Sequence, residues 1–499
     1  MNLHHASPWC RVVALAALGV NFGSNEACAA RPAAADAEEG VEVLTRGPVH
    51  EAFADTVTFD PEPGIVVPRA PPAAIEELPP EQRPEGDDVA WIPGYWAWDD
   101  ERSDFLWVSG TWRALPPDRQ WVSGYWGESG PDFQWISGYW ADAETSEVEY
   151  LPKPPATVEV GPNIDAPSLD YTWLPGYWVW RDYRYAWRPG YWSSVEPDWV
   201  WVPAHYVWTP RGYVFIDGYW DYSIARRGVL FAPVYFHAGF SARPGYYYSP
   251  ATVINPAVFA RHLFLRPRYG HYYFGDYYDA GYQTAGFYPW FSYHNHNGYD
   301  PIYAHHRWQH RRDHAWERQV EADFRHRRDH EDARPARTWA AQRERVTSAA
   351  ASGERGFVVA APLERLAQSA DSPLRLRPLD KGERQRLAER GRGVHRSRAQ
   401  RQQRETRRAA TSADQPATES RPDRVKLPRS AMVARSAAEL GEGQAPPKAQ
   451  AAPDPDSQVE RKPRRRPGKP ETPQAGSPAT GTQPPSDAAK GDRAKRDRG

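Results

Sequence analysis

A hexapeptide frame, Trp-x-x-Gly-aromatic-Trp, recurs through the middle of this chain and constrains its fold more than any other feature. It begins at Trp91 (WIPGYW), Trp107 (WVSGTW), Trp121 (WVSGYW) and Trp135 (WISGYW). It resumes at Trp173 (WLPGYW) and Trp187 (WRPGYW), decays at Trp201 (WVPAHY), returns as FIDGYW at Phe215 and erodes to FAPVYF at Phe231. Most successive starts are 14 residues apart. Eighteen of the 23 tryptophans lie between Trp91 and Trp220, so the repeat accounts for them. One such unit cannot bury its own aromatic face, so several must pack together.

The residue two before the opening Trp is aromatic in most copies (Phe105, Phe133, Tyr171, Tyr185, Trp199, Tyr213), an alternation that reads as strand. Parity flips between the opening and closing Trp, where Pro-Gly or Ser-Gly stands. A bulge or a turn there restores it and places all the indoles of a repeat on one face. One kinked strand of about ten residues per repeat with a short loop is favoured, and two very short strands per repeat are the alternative. Consecutive strands are antiparallel, because four residues cannot make a parallel crossover. Each packed Trp buries about 150–250 Å², worth about 4–6 kcal/mol gross at ~25 cal/mol/Å².

The structural repeat residues are therefore Trp91, Gly94, Trp96, Trp107, Gly110, Trp112, Trp121, Gly124, Trp126, Trp135, Gly138 and Trp140 in a first block. In a second block they are Trp173, Gly176, Trp178, Trp187, Gly190, Trp192, Gly218 and Trp220. Seven copies keep the glycine, where a Cβ would meet a neighbouring ring or forbid the backbone angle. Tyr95, Tyr125, Tyr139, Tyr177, Tyr191 and Tyr219 precede the closing Trp and by alternation face the other side. They are the candidate rings for a ligand, whereas the tryptophans are needed as core.

At these residues the chain resembles the bacterial WXXGXW or YXWGXW repeat proteins, over residues 89–236 and in flanking segments such as Pro71–Pro84 and Tyr288-Pro289-Trp290-Phe291. The resemblance implies an exported or envelope protein and supplies no catalytic residues. The expected fold is mainly β: an antiparallel meander of kinked aromatic strands, then charged helical segments and a long disordered basic tail.

The net charge of -2 hides a split. Residues 31–240 carry 33 acids against 14 bases, and residues 241–499 carry 30 against 47. Residues 1–30 read as a signal peptide, with an apolar run from Val12 to Val20 and a small-residue cleavage site at Ala27-Cys28-Ala29. Both cysteines, Cys10 and Cys28, fall inside it, so a processed chain would have no disulfide, thiol nucleophile or Cys-ligated zinc. Residues 31–88 read as a Pro- and acid-rich extended lead-in. Repeat blocks follow at 89–141 and 171–240, joined by a Pro-rich linker at 142–170. Residues 241–304 are rich in Tyr, Gly and His. A charged helix is expected over 305–348, a linker plus a basic helix (about Asp380 to Thr406) over 349–410, and a disordered tail over 411–499.

His310/His314 and His326/His330 have a helical chelate spacing, but the surrounding arginines oppose a cation, so neither metal nor cofactor is expected. No GxSxG, Walker A or HExxH pattern is present. The chain reads as non-enzymatic, with a hydrolase built from His, Tyr and Asp of 241–304, including His294 and His296, as a minor alternative. The expected partners are an envelope polymer or another protein, including a second copy. Nucleic acid is not expected, and the mature chain has no span. The leading reading is an exported cell-envelope interaction protein. The second is a polysaccharide- or wall-binding module using the tyrosine row.

Overall fold

The repeats fold in pairs. In a computed structural model that describes residues 40–295, 298–351, 358–368, 375–406, 422–441 and 445–447, eight copies make four hairpins. In the first, Val89–Ile92 and Tyr95–Asp99 run against Thr111–Ala114 and Asp104–Val108. In the second, Arg119–Val122 and Tyr125–Ser129 run against Tyr139–Asp142 and Asp132–Ile136. The third sets Tyr171–Leu174 and Tyr177–Arg181 against Tyr191–Ser194 and Arg184–Arg188. The fourth sets Trp199–Val202 and His205–Thr209 against Tyr219–Tyr222 and Gly212–Ile216.

Each strand is a kinked one. The ladder lapses at the x-Gly pair, which forms a waist in the hairpin, yet the register runs through it unchanged: Ile92 faces Thr111 before the waist, and Tyr95 faces Val108 after it. The chain is therefore mainly β and antiparallel as expected, but the meander breaks up, because repeats two and three share no ladder. The break falls where each hairpin closes on itself. The Leu115, Ala143, Val195 and Ser223 amides donate to the Asp88, Asp118, Asp170 and Asp198 carbonyls. The ninth, eroded copy is a third strand on the first hairpin: Gly228–Leu230 and Val234–Phe236 pair with its second repeat.

Every opening Trp faces a closing Trp across the ladder. Six such pairs have centroids 5.1–5.3 Å apart or, for Trp173 and Trp192, 5.5 Å, with planes steeply inclined. Trp201 and Trp220 make the seventh at 5.1 Å, and the decayed position carries Tyr206 against Phe215. Edge-to-face contact is the favoured arrangement of two indoles. Buried charges tie hairpins together: Arg113 of the first donates to both oxygens of Asp221 in the fourth at 2.6 Å, and Arg227 joins them.

Several segments depart from the sequence expectation. Residues 40–88 are extended, but they thread through the core: Leu44, Val49, Phe53, Val57 and Ile75 are buried. The apolar side chains within this acidic stretch are the reason. In the linker, Glu147–Tyr150 is a strand paired with Asp423–Lys426, so part of the assigned tail also packs, and Met432 is buried. The rest of that tail, apart from 445–447, lies outside the described residues, as does the signal segment. Part of the segment assigned to 241–304 enters the core: Leu263–Arg266 and His271–Phe274 form a hairpin whose Tyr272 and Tyr273 are buried.

The single helix expected over 305–348 is three: Pro301–Gln309, Trp316–Asp329 and Trp339–Ala351. Asp313 accepts from the Ala315 amide at the first break, and Pro335, which cannot donate, stands in the second. The basic helix is present as Lys381–Thr406, with the Asp380 carboxylate accepting from the Glu383 amide at its start.

Candidate functional site

The waist is where the repeat does chemistry. A strand pair without ladder bonds leaves backbone N–H and C=O groups that must find other partners. The opening Trp of each repeat lies over the glycine of the paired repeat. A Cβ on Gly110 would stand 2.5 Å from Trp91, one on Gly138 2.6 Å from Trp121, and one on Gly190 2.5 Å from Trp173. None of the seven waist glycines has a left-handed φ, so close approach of the ring and of the facing backbone, and not the backbone angle, requires glycine.

With no Cβ in the way, a carboxylate reaches the glycine amides. In the first hairpin Glu77 accepts from the Gly94 and Gly110 amides at 2.7 and 2.9 Å and from Trp107 Nε1 at 3.2 Å. In the second, Glu51 accepts from the Gly138 amide at 3.1 Å and Trp135 Nε1 at 3.0 Å. In the third, Glu159 accepts from the Gly176 amide at 2.5 Å and Trp173 Nε1 at 3.0 Å. Burial pushes the Glu51 and Glu77 carboxyls up to about 7, while the amide and indole donors pull the other way.

These glutamates come from the segments read as lead-in and linker, and sequence reasoning missed them. A signal existed: Ile75-Glu76-Glu77-Leu78 and Val158-Glu159-Val160 set acids between apolar residues directly after Pro-Pro-Ala-x. In the third hairpin the same strap also takes the indole N–H groups of Trp178 (to Ala156 O) and Trp192 (to Ile164 O). All the indoles of that hairpin thus face one side, as the parity argument required.

The tyrosines occupy the opposite face, but most are not offered to solvent. Tyr95, Tyr125, Tyr139 and Tyr219 are buried, a correction to their reading as an exposed row. The basic helix covers the second hairpin. Arg401 Nη1 donates to Ser123 O and Ser137 O, its guanidinium lies 5.3 and 5.0 Å from the Tyr125 and Tyr139 rings, and Glu405 accepts from Tyr125 and Tyr150. Tyr95 donates or accepts at His271 Nε2, and Tyr219 donates to Asp55. Only Tyr177 and Tyr191 of the six are partly exposed, and the tryptophans of the third hairpin are partly exposed with them. Val158, Val160, Ile164 and Leu169 of its strap are exposed too.

A family profile described as the WXXGXW repeat (2 copies) matches residues 86–113, 169–193 and 197–221. The chain carries WXXGXW repeats. The second hairpin, between the matched stretches, has the same register, waist and Trp pairs. No curated protein and no solved structure matches the chain. The unit is two repeats and one waist, with a carboxylate on the Trp face in the first three hairpins.

The other candidate groups fall elsewhere. His326 and His330 lie 4.6 Å apart, and His310 stacks on Trp316 at 4.8 Å. Among the described residues no group of three or more His, Cys, Asp or Glu is placed to hold a metal ion. His294 stacks on Tyr303, and His296 lies outside the described residues. Among the described residues no helix is long and apolar enough to cross a membrane.

Proposed function

We propose that this chain is a non-enzymatic interaction protein exported to the cell envelope, and that its third hairpin (171–194) is the contact surface. The supporting observation is an asymmetry among equivalent units. The first and second hairpins are packed on both faces by other parts of the chain and the fourth is partly covered, with Trp201, Trp208, Tyr213 and Phe215 partly exposed, whereas the third keeps all its Trp rings and both its waist tyrosines partly exposed beside an apolar strap. Exposed aromatic clusters of this kind mark interaction sites. The apolar run at 12–20 with its small-residue cleavage site supports export. The absence of any catalytic motif in the sequence supports a binding role.

Fractionation of cells making the intact chain tests the reading. We expect the protein in the envelope fraction, and release of part of it when Trp180 and Tyr183 are both changed to Ser. A soluble cytoplasmic protein would overturn the export reading. Unchanged retention of the double variant would overturn the assignment of the surface. Glycan binding through Tyr177 and Tyr191 is the second reading, because these two remain accessible from the original row.

A further inference from the structure

The four hairpins also differ along one edge. In three of them a further segment runs antiparallel on the outer side of the later repeat. In the first it is the ninth copy, whose Val234 faces Trp107 and whose Leu230 faces Thr111. In the second it comes from the lead-in: Val66 and Val67 face Gln134 and Phe133, and the Trp135 amide donates to Ile65 O at 3.0 Å. In the fourth, Leu151 and Tyr213 each donate an amide to the other's carbonyl at 2.9 Å. An unpaired strand edge carries a row of backbone donors and acceptors, and an added strand satisfies them.

The third hairpin has the same edge without the added strand. Asp182 and Tyr183 form its two-residue turn, both with left-handed φ, so Arg181 and Arg184 are the hydrogen-bonded pair that closes the turn. The alternate pairs, Trp180 with Tyr185 and Trp178 with Trp187, therefore direct their amides and carbonyls outward. On the earlier strand the fourth hairpin takes up such a group, with Tyr206 Oη donating to Trp178 O at 3.0 Å. On the later strand the outward groups are those of Tyr185 and Trp187. Among the described residues no strand or bridge pairs with the outer side of Arg184–Arg188, and no backbone bond engages Tyr185 or Trp187 there. The strap lies on the Trp face and leaves the edge clear. In the first hairpin a matching strap, with Ala73 O on Trp96 Nε1 and Glu77 at the waist, coexists with the added strand.

The side chains along this edge state what fits it. Arg184 is exposed, Arg188 is partly exposed, and among the described residues neither makes an ion pair. A second copy of the same strand, paired antiparallel about Ala186, would set Arg184 of each copy against Arg188 of the other, and like charges directly opposed destabilise a ladder. Residues opposite Tyr185 and Trp187 would lie on the Trp face, where Val67 is buried in the second hairpin. We propose that the outer edge of Arg184–Arg188 accepts a strand from a partner protein: an extended acid-apolar-x-apolar-acid segment, antiparallel, with its apolar residues beside Tyr185 and Trp187 and its acids beside Arg188 and Arg184. Three equivalent edges are filled by the chain's own segments, and this one is left for a partner. The proposal deepens the interaction role given above and rests on it.

Titration of the intact chain with a labelled, end-capped peptide tests the edge. The probe is Glu-Ile-Val-Val-Glu, which sets the triplet of the second hairpin's added strand between two acids, and binding is read by fluorescence anisotropy. We expect the same peptide with lysine at both ends to bind at least fivefold more weakly. Methylating the backbone nitrogens of Ile and the second Val, which face the edge, weakens binding at least tenfold, and methylating the central Val nitrogen, which faces away, leaves it within threefold. Arg184→Glu combined with Arg188→Glu reverses the preference between the two peptides, with unchanged near-ultraviolet circular dichroism. The methylated peptides keep the test open on the unaltered chain where that double variant fails to fold. Amide exchange of residues 184–188, followed by mass spectrometry, is fast in the free chain and slows with the peptide. Failure of the acidic peptide to bind, or equal sensitivity to methylation at either kind of position, would overturn the proposal. Slow exchange in the free monomer would show the edge closed by the chain itself, and slow exchange only in a dimer would give it to a second copy; either result overturns the proposal too. In each case envelope retention, and its loss in the Trp180 and Tyr183 double variant, would still stand, so failure of the strand acceptor is distinguishable from failure of the interaction reading.

Discussion

Trp140 in the second hairpin is fully buried and its counterpart Trp192 in the third is partly exposed, although each faces an opening Trp at 5.1 and 5.5 Å. The two hairpins share register, waist glycines and a carboxylate on the Trp face. They differ in what covers them. Glu51 of the second is supplied by a distant segment and Arg401 by a distant helix, whereas Glu159 of the third comes from the strap just before it. The repeat therefore builds the unit, and long-range packing decides whether its faces are core or surface.

The largest test of that comparison is truncation of the Trp pair. Trp140→Ala should cost about 5 kcal/mol, the upper end for a buried aromatic, and Trp192→Ala about 2 kcal/mol. Equal losses in urea unfolding would show that the third hairpin is as much core as the second. Next, Arg401→Ala leaves Glu405 buried without its cation and should cost about 4 kcal/mol. Arg188→Ala, at the matching face of the third hairpin, should stay within about 0.5 kcal/mol. A large loss at Arg188 would mean that the third Tyr face is already closed by the chain itself.

The glycines separate the two hairpins less sharply. Gly138→Ala must displace the buried Trp121 ring and should cost about 3 kcal/mol, measured by thermal unfolding. Gly190→Ala meets the partly exposed Trp173, which can give way, but also the Leu174 carbonyl oxygen at 2.6 Å, which cannot, and should cost about 2 kcal/mol. A reversed order would break the argument from burial.

A last test concerns pH dependence. The Glu51 carboxyl is raised from 4.5 to about 7 in the folded chain. The folded state thus holds its proton more tightly than the unfolded state does. That contribution is fully present below about 4.5 and is lost as pH rises through about 7, amounting to about 3 kcal/mol. Glu51→Gln should remove this part of the slope of stability against pH between those values. The buried His50, lowered to about 3 by desolvation, works in the opposite sense as pH falls below its ordinary value. Glu51→Gln with an unchanged slope would place the proton elsewhere.

Much of the hairpin was legible in the sequence, because its determinants lie within one or two repeats. The Gly requirement, the shared face of the indoles and the kinked strand all followed from spacing. The basic helix from about Asp380 to Thr406 followed from composition. The pairing of repeats in twos was not legible, since the loops inside and between hairpins have similar lengths and both contain proline, as in Gly130-Pro131 and Pro116-Pro117. Nor were Glu51, Glu77, Arg401 and Glu405, whose residue types read as solvated charge in acidic or basic stretches. The tyrosine row was assigned to solvent from alternation alone, which says which face a side chain takes and nothing of what packs on it.

The sequence by itself determined the local object: a kinked antiparallel strand, tryptophan on one side, tyrosine on the other, with glycine where a neighbouring indole must pass. It could do so because steric and register effects act between residues close along the chain. Only the tertiary structure decided that Glu51 would meet a waist 87 residues away at Gly138, that Arg401 would fill one 278 residues away at Ser123, and that the third hairpin would keep its rings partly exposed. Those contacts depend on which segments the folded chain brings together, and the desolvation that gives them their strength exists only once it has done so.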